Sequence, residues 1–164
     1  MKCALILVII VSLVALPALG SGCTSVMTQT RETYAYSSET YSARRVSPAT
    51  EQEVLNFLAQ DRTDKNVWIK GVYECGHVAA DLWWNAYVQG MEACLVWVKY
   101  WKHGTEQVHW LVKFHIEDGA QSSWLWVEPS NDGVVDEGDY TMQDTYCEEQ
   151  ALDLCRTWWA GNSS

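Results

Sequence analysis

Basic side chains are scarce: 11 Lys and Arg stand against 21 Asp and Glu in 164 residues. Such a chain lacks the clustered cations that phosphate contacts need, so no nucleic-acid partner is expected. Anionic lipid would repel it too, and any membrane attachment must come from acyl chains. Long apolar runs are also lacking. The uncharged run from Ala4 to Leu19 has 16 residues, short of the roughly 20 a helix needs to cross a bilayer core. No internal repeat is visible. Cys75 and His77 find no second pair at zinc spacing, and the acidic stretch Asp132, Asp136, Glu137 and Asp139 lacks the EF-hand order. No metal and no cofactor is therefore expected.

What is present begins with Lys2, the apolar run, and the small residues Gly20, Ser21 and Gly22 ahead of Cys23. This is the layout of a secretory signal over residues 1–22. Leu19-Gly20-Ser21-Gly22-Cys23 resembles a prokaryotic lipobox, although Gly20 stands where a large aliphatic residue is usual. The resemblance implies a lipid on Cys23 and a protein tethered to the outer side of the cell membrane. Cleavage after Gly20, giving ordinary secretion, also fits, as does an uncleaved anchor. Residues 24–45 hold nine Ser and Thr and no Gly or Pro, so residues 23–46 read as a lipidated N-terminus and tether. Tyr34, Tyr36 and Tyr41 could instead mark an edge strand.

Residues 47–164 are long enough for one domain with a real core. Ten Trp and eight Tyr enlarge the apolar area that core can bury, or line a stacking groove. Thr50 and Glu53 form a capping box, each able to satisfy a donor the new helix leaves unpaired. Val54, Leu55 and Leu58 follow as an apolar stripe, and the helix is expected to end near Asp61. A second helix opens at Cys75, with Val78, Ala79, Leu82, Trp83 and Ala86 on one face and Gly90 as its stop. The period then changes. Ala93–Trp101 is apolar at nearly every position, as a strand covered on both faces would be. His109–Ile116 alternates, and Trp124–Glu128 is a third strand closed by Pro129. An acidic loop, 131–139, leads to a terminal helix carrying Ala151, Leu152, Cys155, Trp158 and Trp159. This order predicts an α+β domain in which a Cys-led helix packs on an antiparallel sheet.

Chemistry is expected at Cys75. It heads a helix, where unpaired N–H groups and the dipole favour the reactive thiolate. Cys94, Cys147 and Cys155 are the other cysteines beyond the lipid site, and two bridges among the four allow three connectivities. Cys147 and Cys155 can pair only if no unbroken helix joins them.

The segment Tyr73-Glu74-Cys75-Gly76-His77-Val78-Ala79-Ala80-Asp81-Leu82, with Gly90-Met91-Glu92-Ala93 after it, resembles the nucleophile helix of the transglutaminase-like superfamily. His109-Trp110 at a strand start and Trp124-Leu125-Trp126-Val127-Glu128-Pro129-Ser130 resemble that family's second and third motifs. The resemblance covers about residues 54–132. It implies a papain-like fold and a thiol acyl-transfer enzyme or hydrolase acting on peptide or isopeptide amides of the cell envelope. Cys75 would be the nucleophile, His109 the proton shuttle and Glu128 the residue that orients His109. Glu128 departs from the family's aspartate, and Asp132 is a nearby substitute. A catalytically inactive member serving as a binding module is the alternative, with Cys75 bridged to another cysteine.

Among the other histidines, His77 should point away from Cys75 on the helix. His115 shares a face with His109 about 20 Å along the strand, where a surface role is expected. His103 falls in a turn. Strand parity sets His109 opposite the fully apolar set, so either both sheet faces are covered or a bulge turns His109 over.

Overall fold

The computed structural model describes residues 45–161. The signal segment, Cys23, most of the tether, the Tyr34–Tyr41 stretch and the terminal Asn162-Ser163-Ser164 glycosylation pattern lie outside the described residues. The architecture is α+β: three helices and a five-stranded antiparallel sheet.

Helix α1 covers Glu51–Leu58. Its start is the expected box, with Thr50 Oγ1 accepting from Glu53 N–H and Glu53 Oε2 accepting from Thr50 N–H. The helix buries Val54, Phe57 and Leu58, and it stops short of Asp61. Helix α2, Cys75–Val88, opens on the cysteine and buries Val78, Ala79, Leu82, Trp83 and Ala86. Gly90, at φ +82°, takes the left-handed conformation that breaks the helix.

Strands β1 (Ala93–Lys102), β2 (Thr105–Asp118) and β3 (Gln121–Glu128) form a meander. The β1–β2 turn places His103 and Gly104 at positive φ, as the tight hairpins matching strand twist require. Two strands escape the sequence pattern. The first, β4 (Gly133–Val135), lies inside the acidic loop, and β5 (Thr141–Cys147) precedes helix α3, Glu148–Gly161. The sheet order is β4-β3-β2-β1-β5.

Among the described residues one bridge forms, Cys94–Cys147, tying β1 to β5 at directly opposed positions. Its cysteines are 53 apart in sequence, and closing a loop of that length stabilises the fold by about 4 kcal/mol on the chain-entropy account. Cys75 and Cys155 are free thiols. Burial pushes the Cys155 thiol well up, and the nearby negative charge of Asp81 raises it further.

Both sheet faces are covered over their middle. Phe57 of α1 packs against Phe114, and Trp158 of α3 meets Trp110 edge-on, so these helices lie on the Trp110–Ile116 side. On the other side Val96, Val98, Leu111 and Trp126 form a second cluster, closed by Val135 and Tyr140 from the segment after β3. His109 stands on this second side. The β1–β2 register passes through Val98↔His109 without a shift, so no bulge turns the histidine over. The bulge in the sheet lies elsewhere, between Trp97 and Val98 against β5.

Candidate active site

The site is assembled from a helix start, the interior of one strand and the end of another; β2 begins at Thr105, so His109 is its fifth residue and does not open the strand as expected. Cys75 is the first residue of α2 and half-buried. Its helix start is built by residues on both sides. Glu74 N–H donates to His77 Nδ1 at 3.2 Å, and Glu74 Oε1 accepts from Gly71 N–H at 2.7 Å. His77 Nδ1 is therefore engaged by the helix cap. Tyr73 is buried just ahead, its hydroxyl donating to Asp81 at 2.6 Å and accepting from Asn66. These contacts fix the backbone on which the sulfur is carried.

Along β2, pairing with β3 runs from Val112 to Asp118. His109 precedes that stretch, and there the head of α2 brings Cys75 near enough to the ring to shift its titration. Glu128, the last residue of β3, lies across from it with Oε2 2.6 Å from His109 Nε2. As Glu128 occupies Nε2, the ring nitrogen left for the thiol is Nδ1. The glutamate stem reaches the ring without a gap, and its other oxygen, Oε1, accepts from the Ser130 hydroxyl at 2.7 Å and the Ser130 N–H at 3.1 Å. His109 and Glu128 are thus hydrogen-bonded to each other, with Cys75 close enough to the ring to act on its charge.

Asp132 does not join it. Its carboxyl faces Asp61 and Asp64 beside a cavity of about 320 Å³ that none of Cys75, His109 and Glu128 lines. Burial and those two negative neighbours push Asp132 up to about 6.

The electrostatics follow from the contacts. Burial of the His109 ring opposes its charged form, yet hydrogen bonds to Cys75 and Glu128 and their negative charge outweigh it, and the ring is pushed up to about 9. Glu128 is opposed by burial as well, but the His109 contact and the two Ser130 donors hold its carboxyl below the usual range. A protonated ring between two acidic partners is the state this geometry favours.

Sequence reasoning missed three contributors. Ser130 buttresses Glu128; a hydroxyl residue two places after a carboxylate was the available signal. Tyr100 sits edge-on to His109, with ring centroids 6.2 Å apart, and Tyr140 packs on Tyr100 at 5.7 Å. Neither tyrosine belongs to a recognisable local pattern, since tertiary folding alone brings them to the ring. Among the described residues, no group of three or more His, Cys, Asp or Glu side chains is placed to hold a metal ion.

No family model matches the chain, and no curated protein matches it either.

Proposed function

We propose that this protein is a transglutaminase-like thiol enzyme of the cell envelope, an acyltransferase or hydrolase acting on peptide or isopeptide amides. One observation carries the reading: an unbridged cysteine at a helix start lies beside a histidine whose ring nitrogen is held by a carboxylate. The order of the three residues, and the Cys-led helix against an antiparallel sheet, agree with the superfamily resemblance of their sequence motifs.

In this mechanism the Cys75 thiolate attacks the amide carbonyl, the C–S bond forms, and the C–N bond breaks as His109 gives its proton to the leaving amine. Water or a second amine then releases the acyl group, returning the proton to His109. Glu128 keeps the ring in the tautomer that turns the other nitrogen to the sulfur. The Cys75 N–H, in the first turn of α2 where no intrahelical acceptor exists, is positioned to donate to the developing oxyanion.

Export and tethering through a lipid on Cys23 belong to the same proposal. The Cys94–Cys147 bridge supports an oxidising compartment. No helix among the described residues is long and apolar enough to cross a membrane.

The alternative, a binding module without catalysis, rests on glutamate standing where the family has aspartate and on a bridged Cys75, but the partner of Cys94 is Cys147 and Cys75 is free. Mild alkylation of the full chain near pH 6, with the labelled peptides mapped by mass, separates the two. Labelling at Cys75 at least tenfold faster than at Cys155, and lost in His109→Ala, supports the enzyme. Equal rates at the two thiols, or a Cys75 rate indifferent to His109, would rule it out.

A further inference from the structure

The same sheet face carries a second histidine–carboxylate pair at its opposite end. His115 lies six residues beyond His109 on β2, about 20 Å away along an extended strand. Its Nδ1 is 2.9 Å from Glu92 Oε2, and its Nε2 is 2.8 Å from Ser122 Oγ. A carboxylate on Nδ1 fixes the tautomer in which that nitrogen carries the proton, leaving the Nε2 lone pair to accept the serine hydroxyl. This arrangement of hydroxyl, imidazole and carboxylate is the one that activates a serine.

The three residues are rigidly placed rather than chance surface neighbours. Glu92 is locked by its backbone: its N–H donates to Ser47 O at 2.9 Å, and its carbonyl accepts from His115 N–H at 2.9 Å. The His115 carbonyl in turn accepts from Ala49 N–H at 3.0 Å. The His115 ring stacks on Trp124, with centroids 4.8 Å apart and planes within 19°. The side chains of His115 and Glu92 are 19% and 31% exposed, whereas Ser122 stands open to solvent. A buttressed base beneath an accessible hydroxyl is the division of labour a nucleophile needs. Lys113, two residues before His115 on the same face, holds its ammonium 4.6 Å from the Trp124 ring centroid.

We propose that Ser122, His115 and Glu92 form a second nucleophilic centre that accepts acyl groups from carboxylic esters. Ser122 Oγ attacks the ester carbonyl and forms an O–C bond while its proton passes to His115 Nε2. The bond to the alcohol oxygen then breaks, and the alcohol leaves with that proton. Water repeats the exchange, freeing the acid and restoring the serine. Esters, not amides, suit the site because their leaving group needs less help on an open surface.

The test uses the full chain with Cys75→Ala, so that the thiol cannot contribute, and p-nitrophenyl acetate as substrate. Adding Ser122→Ala should lower the turnover rate at least tenfold, and Glu92→Gln should lower it by a similar factor with circular dichroism unchanged. A fluorophosphonate should label Ser122, as mapped by peptide mass, and that label should be lost in Glu92→Gln. Folded variants that hydrolyse the ester at the Cys75→Ala rate, or a fluorophosphonate that leaves Ser122 unmodified, would overturn the assignment. Both outcomes are independent of the alkylation result at Cys75.

Discussion

The Trp158 ring rests on Gly76, its nearest atom 3.2 Å from where a β-carbon on that glycine would stand. Gly76 follows the candidate nucleophile directly, and Trp158 comes from the last helix. The indole is itself wedged, meeting Trp110 edge-on at 4.9 Å, and Trp110 follows His109. One aromatic contact therefore touches the immediate neighbours of both the sulfur and the ring, and sets how closely the two elements approach.

Gly76→Ala tests that coupling. Replacing glycine inside a helix gains about 1 kcal/mol in propensity, and the overpacking against Trp158 costs about 1–3 kcal/mol. Stability measured by urea unfolding should fall by no more than about 2 kcal/mol. Alkylation of Cys75 should slow by about tenfold, because a small displacement of α2 lengthens the thiol–imidazole contact. An unchanged Cys75 rate in a folded variant would show that Trp158 does not set this spacing.

His109 should titrate far above an ordinary imidazole. Burial of the ring opposes its charge, but the Cys75 and Glu128 contacts prevail and place it at about 9. As the folded value lies above the unfolded one, near 6.5, the stability this contributes is complete below about pH 6.5. It is lost as pH rises through about 9, with a magnitude on the order of 3 kcal/mol. Ring-proton NMR should give a midpoint near 9, moving down in Cys75→Ser and again in Glu128→Gln. A midpoint near 6.5 in the unaltered chain would mean that the two partners do not hold the ring.

Asp132 is expected to destabilise the fold at neutral pH. It sits at φ +56° with Oδ1 buried and unpartnered, facing Asp61 and Asp64. Burial and those charges raise it to about 6. A carboxyl raised on folding weakens the native state as pH climbs from its unfolded value, about 4, and the penalty is complete above about 6. Asp132→Asn removes the charge while keeping a residue that tolerates the left-handed backbone. It should add about 1 kcal/mol at pH 7.5, after allowance for partial solvent screening. The gain should vanish near pH 4. A gain equal at both pH values would trace the effect to backbone or packing instead.

Much of the scaffold was legible because local rules set it. The T-x-x-E box at Thr50 and Glu53, the helical spacing after Cys75, and the alternation from His109 each rest on interactions between near neighbours in sequence. The strand β5 was not legible. Thr141–Cys147 is mostly polar and lies at the sheet edge, so no alternation of buried and exposed residues marks it. The short β4, Gly133–Val135, has only three residues, too few for a period of two to show.

The amino-acid order by itself determined that a cysteine would head a helix, that a histidine would lie on a strand, and that a carboxylate would end a later strand. Periodicity and capping act within a few residues, and those placements need nothing more. Only the tertiary structure decided which groups meet. It paired Cys94 with Cys147, leaving Cys75 free, and covered both faces of the sheet, so that His109 is half-buried on the side strand parity gave it. It also chose Glu128 over Asp132, and set Ser122 and Glu92 on either side of His115. Each of those choices joins residues distant in the chain, where sequence spacing carries no distance information and packing of the whole domain fixes the geometry.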